Sequence, residues 1–162
     1  MVILLHPMLS QSRHRRGGFT LVELMVVVAI IALLASIAMV SLLRARIITT
    51  EQIALANLQH YTKTLTLYTA VYQGVPVDLT ALGLPAANPP FLGADLIGNG
   101  TAAVKQGYTF IYAQTGPWTY TINANPVTHG QTGIRHFFTD SSTDVHFTSA
   151  NADATAADPL VL

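Results

Sequence analysis

Twenty consecutive residues, Leu24–Leu43, carry no charge, and only Ser36 and Ser41 interrupt their apolar character. At 1.5 Å per residue, a helix of roughly 20 apolar residues matches the ~30 Å hydrocarbon core of a bilayer. The run therefore predicts a membrane-spanning helix, followed at once by Arg44 and Arg46. No glycine or proline occurs from Phe19 through Gln73, so an unbroken helix is expected over that whole stretch. In its second half the pattern changes. Ala54, Leu58, Tyr61, Leu65, Tyr68 and Tyr72 recur at alternating spacings of four and three, which draws one apolar stripe along a helix. Such a stripe needs a covering surface. The protein's own sheet is the expected one, because the pattern ends too soon for an intermolecular coiled coil.

Gly74 and Pro76 are stop signals for that helix. Residues 74–106 are rich in proline and glycine and read as a connecting loop, with a short helical turn at Asp78–Leu82. Asn99-Gly100-Thr101 fits the N-glycosylation pattern but is more simply a turn. Residues 107–162 hold the sheet and a carboxyl-terminal tail. Tyr108–Ala113 and Trp118–Asn123 flank a turn at Gln114–Pro117, and Ile134–Thr139 and Val145–Ser149 flank a second at Asp140–Asp144. Their aromatic and β-branched residues suit a half-buried pleated surface. The expected fold is α+β, one long helix packed on a small antiparallel sheet of three or four strands. Residues 151–162 show no pattern, and read as a covering segment or a frayed end.

Hydrophobic residues make up 51% of the 162-residue chain and charged ones only 10%, a balance the apolar run largely explains. Charge is unevenly placed. Arg13, Arg15 and Arg16 precede the run with no acidic residue among them, whereas five basic and eight acidic side chains follow Gly18, a net of −3. An acidic body argues against a general nucleic-acid-binding surface. By the positive-inside rule the arginines keep the amino terminus in the cytoplasm and place the head beyond the inner membrane. There is no cysteine, which excludes disulfide staples and thiol chemistry. The residues after Gln73 are enough for one small domain.

Gly18, Phe19, Thr20, Leu21, Val22, Glu23 and Leu24 spell GFTLVEL between the arginines and the apolar run. That segment resembles the cleavage and methylation motif of type IV pilins and of the related pseudopilins of type II secretion systems. The resemblance implies a leader, residues 1–18, removed by prepilin peptidase after Gly18, and N-methylation of Phe19. The leader would begin at Met1 or at Met8. It also implies a filament-core and membrane half of the helix at 19–43, an amphipathic half at 44–73, and the pilin architecture for the rest. Relatives often carry glycine where Ala32 stands and proline where Val40 stands, so this helix lacks their usual breakers. An ordinary secretory signal, with Ser36-Ile37-Ala38 as its cleavage site, would leave the carboxylate of Glu23 unexplained. A plain single-span anchor is the remaining reading of the run.

No catalytic constellation and no cofactor site stand out. His136 and His146 would face each other if residues of the last hairpin paired so that their numbers summed to 282, which invites a metal with Asp140 or Asp144. A shift by one sets His136 opposite Phe147 and Phe138 opposite Val145. Packing is the plainer reading, and no metal is expected. Asp153 and Asp158 lack the dense acidic set that calcium requires, although some pseudopilins bind it in this region. Tyr61, Tyr68 and Tyr72, which with Phe19 could suggest an aromatic electron path, read as core, and His60 as polar-face.

Glu23 is the one charge in the apolar half. Once Gly18 is removed, the free amine of Phe19 is largely protonated at pH 7, and a buried ion pair with a neighbouring subunit's amine would set the axial register of a filament. The expected function is a structural subunit of a type IV pilus or pilus-like filament, inserted in the inner membrane before assembly. Its partners would be identical or related subunits, prepilin peptidase, the inner-membrane assembly platform and membrane lipid. A minor pilin or pseudopilin of a secretion or DNA-uptake machine is the alternative within the class. A membrane-anchored enzyme or ligand-binding domain is the alternative outside it.

Overall fold

The computed structural model describes residues 18–161. Most of the expected leader, with both candidate start residues and Arg13, Arg15 and Arg16, lies outside the described residues. The chain divides into two units, one ending at Met39 and the other starting at Val40. Helix α1, Leu21–Tyr72, runs without interruption through both, and no break falls between Ala32 and Val40. It starts two residues later than Phe19, because Thr20 caps it rather than joining it. At its other end Gln73 takes a left-handed backbone with φ 59°. The stop is therefore at Gln73 rather than at Gly74. Glycine suits position 74 for another reason, since a Cβ there would stand 3.2 Å from the carbonyl oxygen of Pro117.

In the second unit α1 packs on a five-stranded antiparallel sheet with strands in sequence order: β1 Ala102–Lys105, β2 Tyr108–Gln114, β3 Tyr120–Pro126, β4 His136–Asp140 and β5 Val145–Thr148. This is one strand more than expected. β1 falls inside the segment read as loop, and joins β2 through Gln106 and Gly107, both at positive φ (49° and 84°). Two positive φ angles are what a tight hairpin turn demands, and the right-handed twist of the flanking strands favours it. β3 begins at Tyr120 rather than Trp118, and β4 at His136 rather than Ile134. A short helix α2, Ala94–Ile97, and a 3-10 turn, Leu79–Leu82, lie in the connector. The Asp78 side chain caps that turn, accepting from the Thr80 amide at 2.8 Å. Asn99 Oδ1 likewise accepts from the amides of Thr101 and Ala102 (3.1 and 2.7 Å), and Gly100 has φ 95°, so this tripeptide forms a turn.

Alternation with period two builds the sheet's inner face. Tyr108, Phe110 and Tyr112 of β2 and Tyr120, Ile122 and Ala124 of β3 are buried, while the residues between them are at least partly exposed. Against this face lie Ala54, Leu58, Tyr61 and Leu65 of α1, the first four members of the stripe. Tyr61 and Phe110 pack with ring centroids 5.4 Å apart. Each fully buried large apolar side chain is worth about 1.5–3 kcal/mol of transfer free energy, so this stripe rather than helix propensity holds the second half of α1. Tyr68 is only partly buried, and Tyr72, exposed, stacks on it at 4.5 Å. Three of the four buried phenols are satisfied: Tyr61 donates to the Leu96 carbonyl, Tyr108 to that of Arg135 at 2.8 Å, and Tyr112 to that of Pro76 at 2.5 Å, whereas the Tyr120 hydroxyl has no partner among the described residues.

The last hairpin pairs His136 with Thr148 and Phe138 with His146. Neither expected register occurs, and the two histidines are not opposite each other. The tail covers the outer edge of β5. The Phe147 amide donates to the Pro159 carbonyl at 2.9 Å and the Val161 amide to the Val145 carbonyl at 2.8 Å, so those edge groups are paired.

Candidate functional site

Phe19 is 90% exposed, and Gly18 stands beside it with nothing of the described chain within 4 Å of where a Cβ would be. Among the described residues nothing gives a reason for glycine at 18. Two residues on, Thr20 and Glu23 close on each other. The Thr20 amide and hydroxyl each donate to Glu23 Oε2 at 2.8 Å, and the Glu23 amide donates to Thr20 Oγ1 at 3.2 Å. This is a reciprocal capping box, which satisfies amides that the first turn of a helix leaves without partners. Glu23 Oε1 accepts nothing from the described residues. The carboxylate of Glu23 therefore sits four residues from Phe19 with one oxygen committed and the other free of the described residues.

From Leu21 to Leu43 the large apolar side chains are exposed all around α1. Among the described residues this is the one helix long and apolar enough to cross a membrane. A helix apolar on every side requires an apolar environment on every side. Gly18, Phe19 and Glu23 stand together at its start, as the sequence places them.

Residues 13–39 match the family model described as "Prokaryotic N-terminal methylation motif". The chain carries the signature of type IV pilins and pseudopilins. No curated protein and no solved structure matches it. The signature covers the segment just described, and one long helix packed on an antiparallel sheet is a pilin-like architecture. The motif supports a type IV pilin-like or pseudopilin precursor.

In the head of this pilin-like chain, the most connected charged group is Glu51, which the sequence analysis passed over. Its Oε1 accepts from the amides of Ile134 and Arg135 (2.9 and 3.1 Å), and its Oε2 accepts from Arg135 Nε at 2.7 Å. Only 6% of Glu51 is accessible. Burial pushes its carboxyl up, but the Ile134 amide and the Arg135 guanidinium and amide outweigh it and hold the group below the ordinary carboxylate value. The signal was present in the sequence, because 51, 54, 58, 61 and 65 continue the stripe's spacing one step backwards. Next to it, Thr50 Oγ1 donates to the Thr132 carbonyl at 2.5 Å. These contacts fasten α1 to the approach to β4. The Arg135 guanidinium also lies over the rings of Phe137 and Phe147, at 5.4 and 5.6 Å.

Both acidic side chains of the tail are engaged, one with β3 and one in a local turn. Asp153 Oδ1 accepts from Asn125 at 2.7 Å, and Asp158 Oδ2 accepts from the Thr155 amide and hydroxyl at 2.7 and 2.9 Å. Among the described residues, no three histidine, aspartate or glutamate side chains converge as metal ligands would.

Proposed function

We propose that the chain is made as a prepilin, cut after Gly18 by prepilin peptidase, N-methylated on Phe19 and assembled as the structural subunit of a type IV pilus or pilus-like filament. Before assembly it spans the inner membrane once, with the amino terminus cytoplasmic and the head outside. The observation that carries this reading is the methylation motif at residues 13–39 laid over the start of a helix whose apolar side chains find no cover among the described residues. Bilayer first, and identical or related subunits afterwards, supply that cover. Among the described residues nothing requires glycine at 18, and the requirement is assigned to the peptidase, which must approach the backbone closely. Gly18→Val should therefore leave full-length precursor in the membrane. Shearing cells and probing the released filaments tests the rest. The protein should be present there as its mature form, and its confinement to the membrane fraction would contradict a filament role.

A further inference from the structure

The turn at residues 127–133 lies against β4 through two histidines. His129 Nδ1 and His136 Nε2 are 3.3 Å apart, and the ring centroids are 5.5 Å apart with planes 26° from parallel. The facing nitrogens therefore lie between the centroids, and the rings meet edge to edge along one line. That alignment suits a hydrogen bond and not a shared cation, whose tetrahedral geometry needs the two bonds at about 109°. Further along, His136 Nδ1 is 3.0 Å from Asn125 Oδ1, and Asn125 Nδ2 is 2.7 Å from Asp153 Oδ1.

One assignment of protons satisfies every link. A carboxylate only accepts, so Asn125 gives Asp153 its amide hydrogen and turns its oxygen to His136. His136 must then donate from Nδ1. Its Nε2 is left as an acceptor in the neutral ring, and His129 must donate from Nδ1. The chain of donors runs His129, His136, Asn125, Asp153.

We propose that His129 and His136 form a proton-operated latch that holds the 127–133 turn on β4 while the pair carries at most one extra proton, and releases it when a second arrives. One extra proton, on either ring, still leaves a donor facing an acceptor between the two rings and keeps the chain intact. With a second, both rings are imidazolium and two N–H groups face each other across 3.3 Å. His136 is only 5% accessible, so it has no water to turn to. Burial, and then the neighbouring His129, push its pKa below the ordinary 6.5, while Asp153 acts in the opposite sense. Other charges nearby do not bear on the pair directly: Arg135, next to His136 in β4, is engaged with Glu51 of α1. A histidine depressed in this way contributes stability above pH 6.5 and loses it as pH falls through its folded value.

Release would reach the helix. Thr132, inside the turn, accepts the Thr50 hydroxyl of α1, and its own amide donates to the Thr128 carbonyl at 3.0 Å. The latch thus couples external acidity to the docking of α1 beside Glu51.

The test is histidine NMR titration of the full chain in detergent micelles from pH 8 to 4.5, with amide exchange followed in parallel and corrected for intrinsic rates. We expect His136 to titrate below 6.5, with protection at Gly130, Gln131 and Thr132 falling at least tenfold in the same step. In His129→Ala, a half-exposed turn position, the titration of His136 should move upward and the turn's protection should no longer change in that window. If His136 titrates at or above 6.5 with the turn unaltered, or if His129→Ala opens as the parent does, the latch does not exist.

Discussion

Glu23 reaches back to Thr20, not outward. Its Oε2 takes the Thr20 amide and hydroxyl at 2.8 Å and leaves Oε1 free at the very start of the apolar helix. In the proposed filament the free oxygen is the one available to the amine of a neighbouring Phe19. The box holds the carboxylate in place for that encounter. An unpaired buried ion costs several kcal/mol, which a well-placed partner largely offsets.

Two substitutions separate the roles. Glu23→Ala removes both the cap and the ion, and should leave insertion and cleavage intact while blocking or severely slowing assembly; Glu23→Asp, being shorter, should assemble in part. Thr20→Ala removes only the cap, worth about 1 kcal/mol, and should fray the first turn, with Thr20→Ser restoring it. Filament yield after shearing and amide exchange at residues 21–24 measure the two effects. Normal yield from Glu23→Ala would mean that apolar packing alone sets the register.

Glu51 should be the most costly single charge to remove from the head. Glu51→Ala strands two amides and a guanidinium in a nearly dry site, at about 3 kcal/mol. Glu51→Gln keeps the shape and loses the charge. The folded carboxyl lies below its ordinary 4.5, so its contribution is complete above that value and drains away as pH falls below it. Denaturant titrations of the full chain at pH 7 and pH 3.5 should show the parent losing stability and Glu51→Gln changing less.

Gly133 faces Tyr108. A Cβ at 133 would stand 2.0 Å from the Tyr108 hydroxyl oxygen, and the ring cannot yield, because it is fully buried and its hydroxyl is held by the Arg135 carbonyl. Gly133→Ala should cost about 1–3 kcal/mol by overpacking, and a Tm equal to the parent's would contradict it.

The long helix could be read directly from the chain because two signals agreed: no breaker for 55 residues from Phe19 to Gln73, and a stripe at period 3.6. β1 escaped notice because Ala102-Ala103-Val104-Lys105 is short and poor in strand formers, and its turn is Gln-Gly rather than the Asn-Gly that marks tight hairpins. The register of β4 and β5 depends on how residues 140–144 turn, with Thr143 at φ 71°, which composition does not encode. Glu51 lay in plain view on the stripe, but a carboxylate at an apolar position reads as an interruption until its partners, more than eighty residues away, are seen. Thr20 and Glu23 match the capping-box spacing, so the carboxylate has a local role at the helix start besides any intersubunit one. The processing site is legible only through its resemblance, because cleavage is chemistry that another protein performs.

The most direct test is the mass and sequence of the amino terminus of the protein recovered from membranes and filaments. The account predicts a chain that begins at Phe19 with its amine methylated. A chain retaining residues 1–18, or one cut after Ala38 as a secretory signal would be, would contradict it.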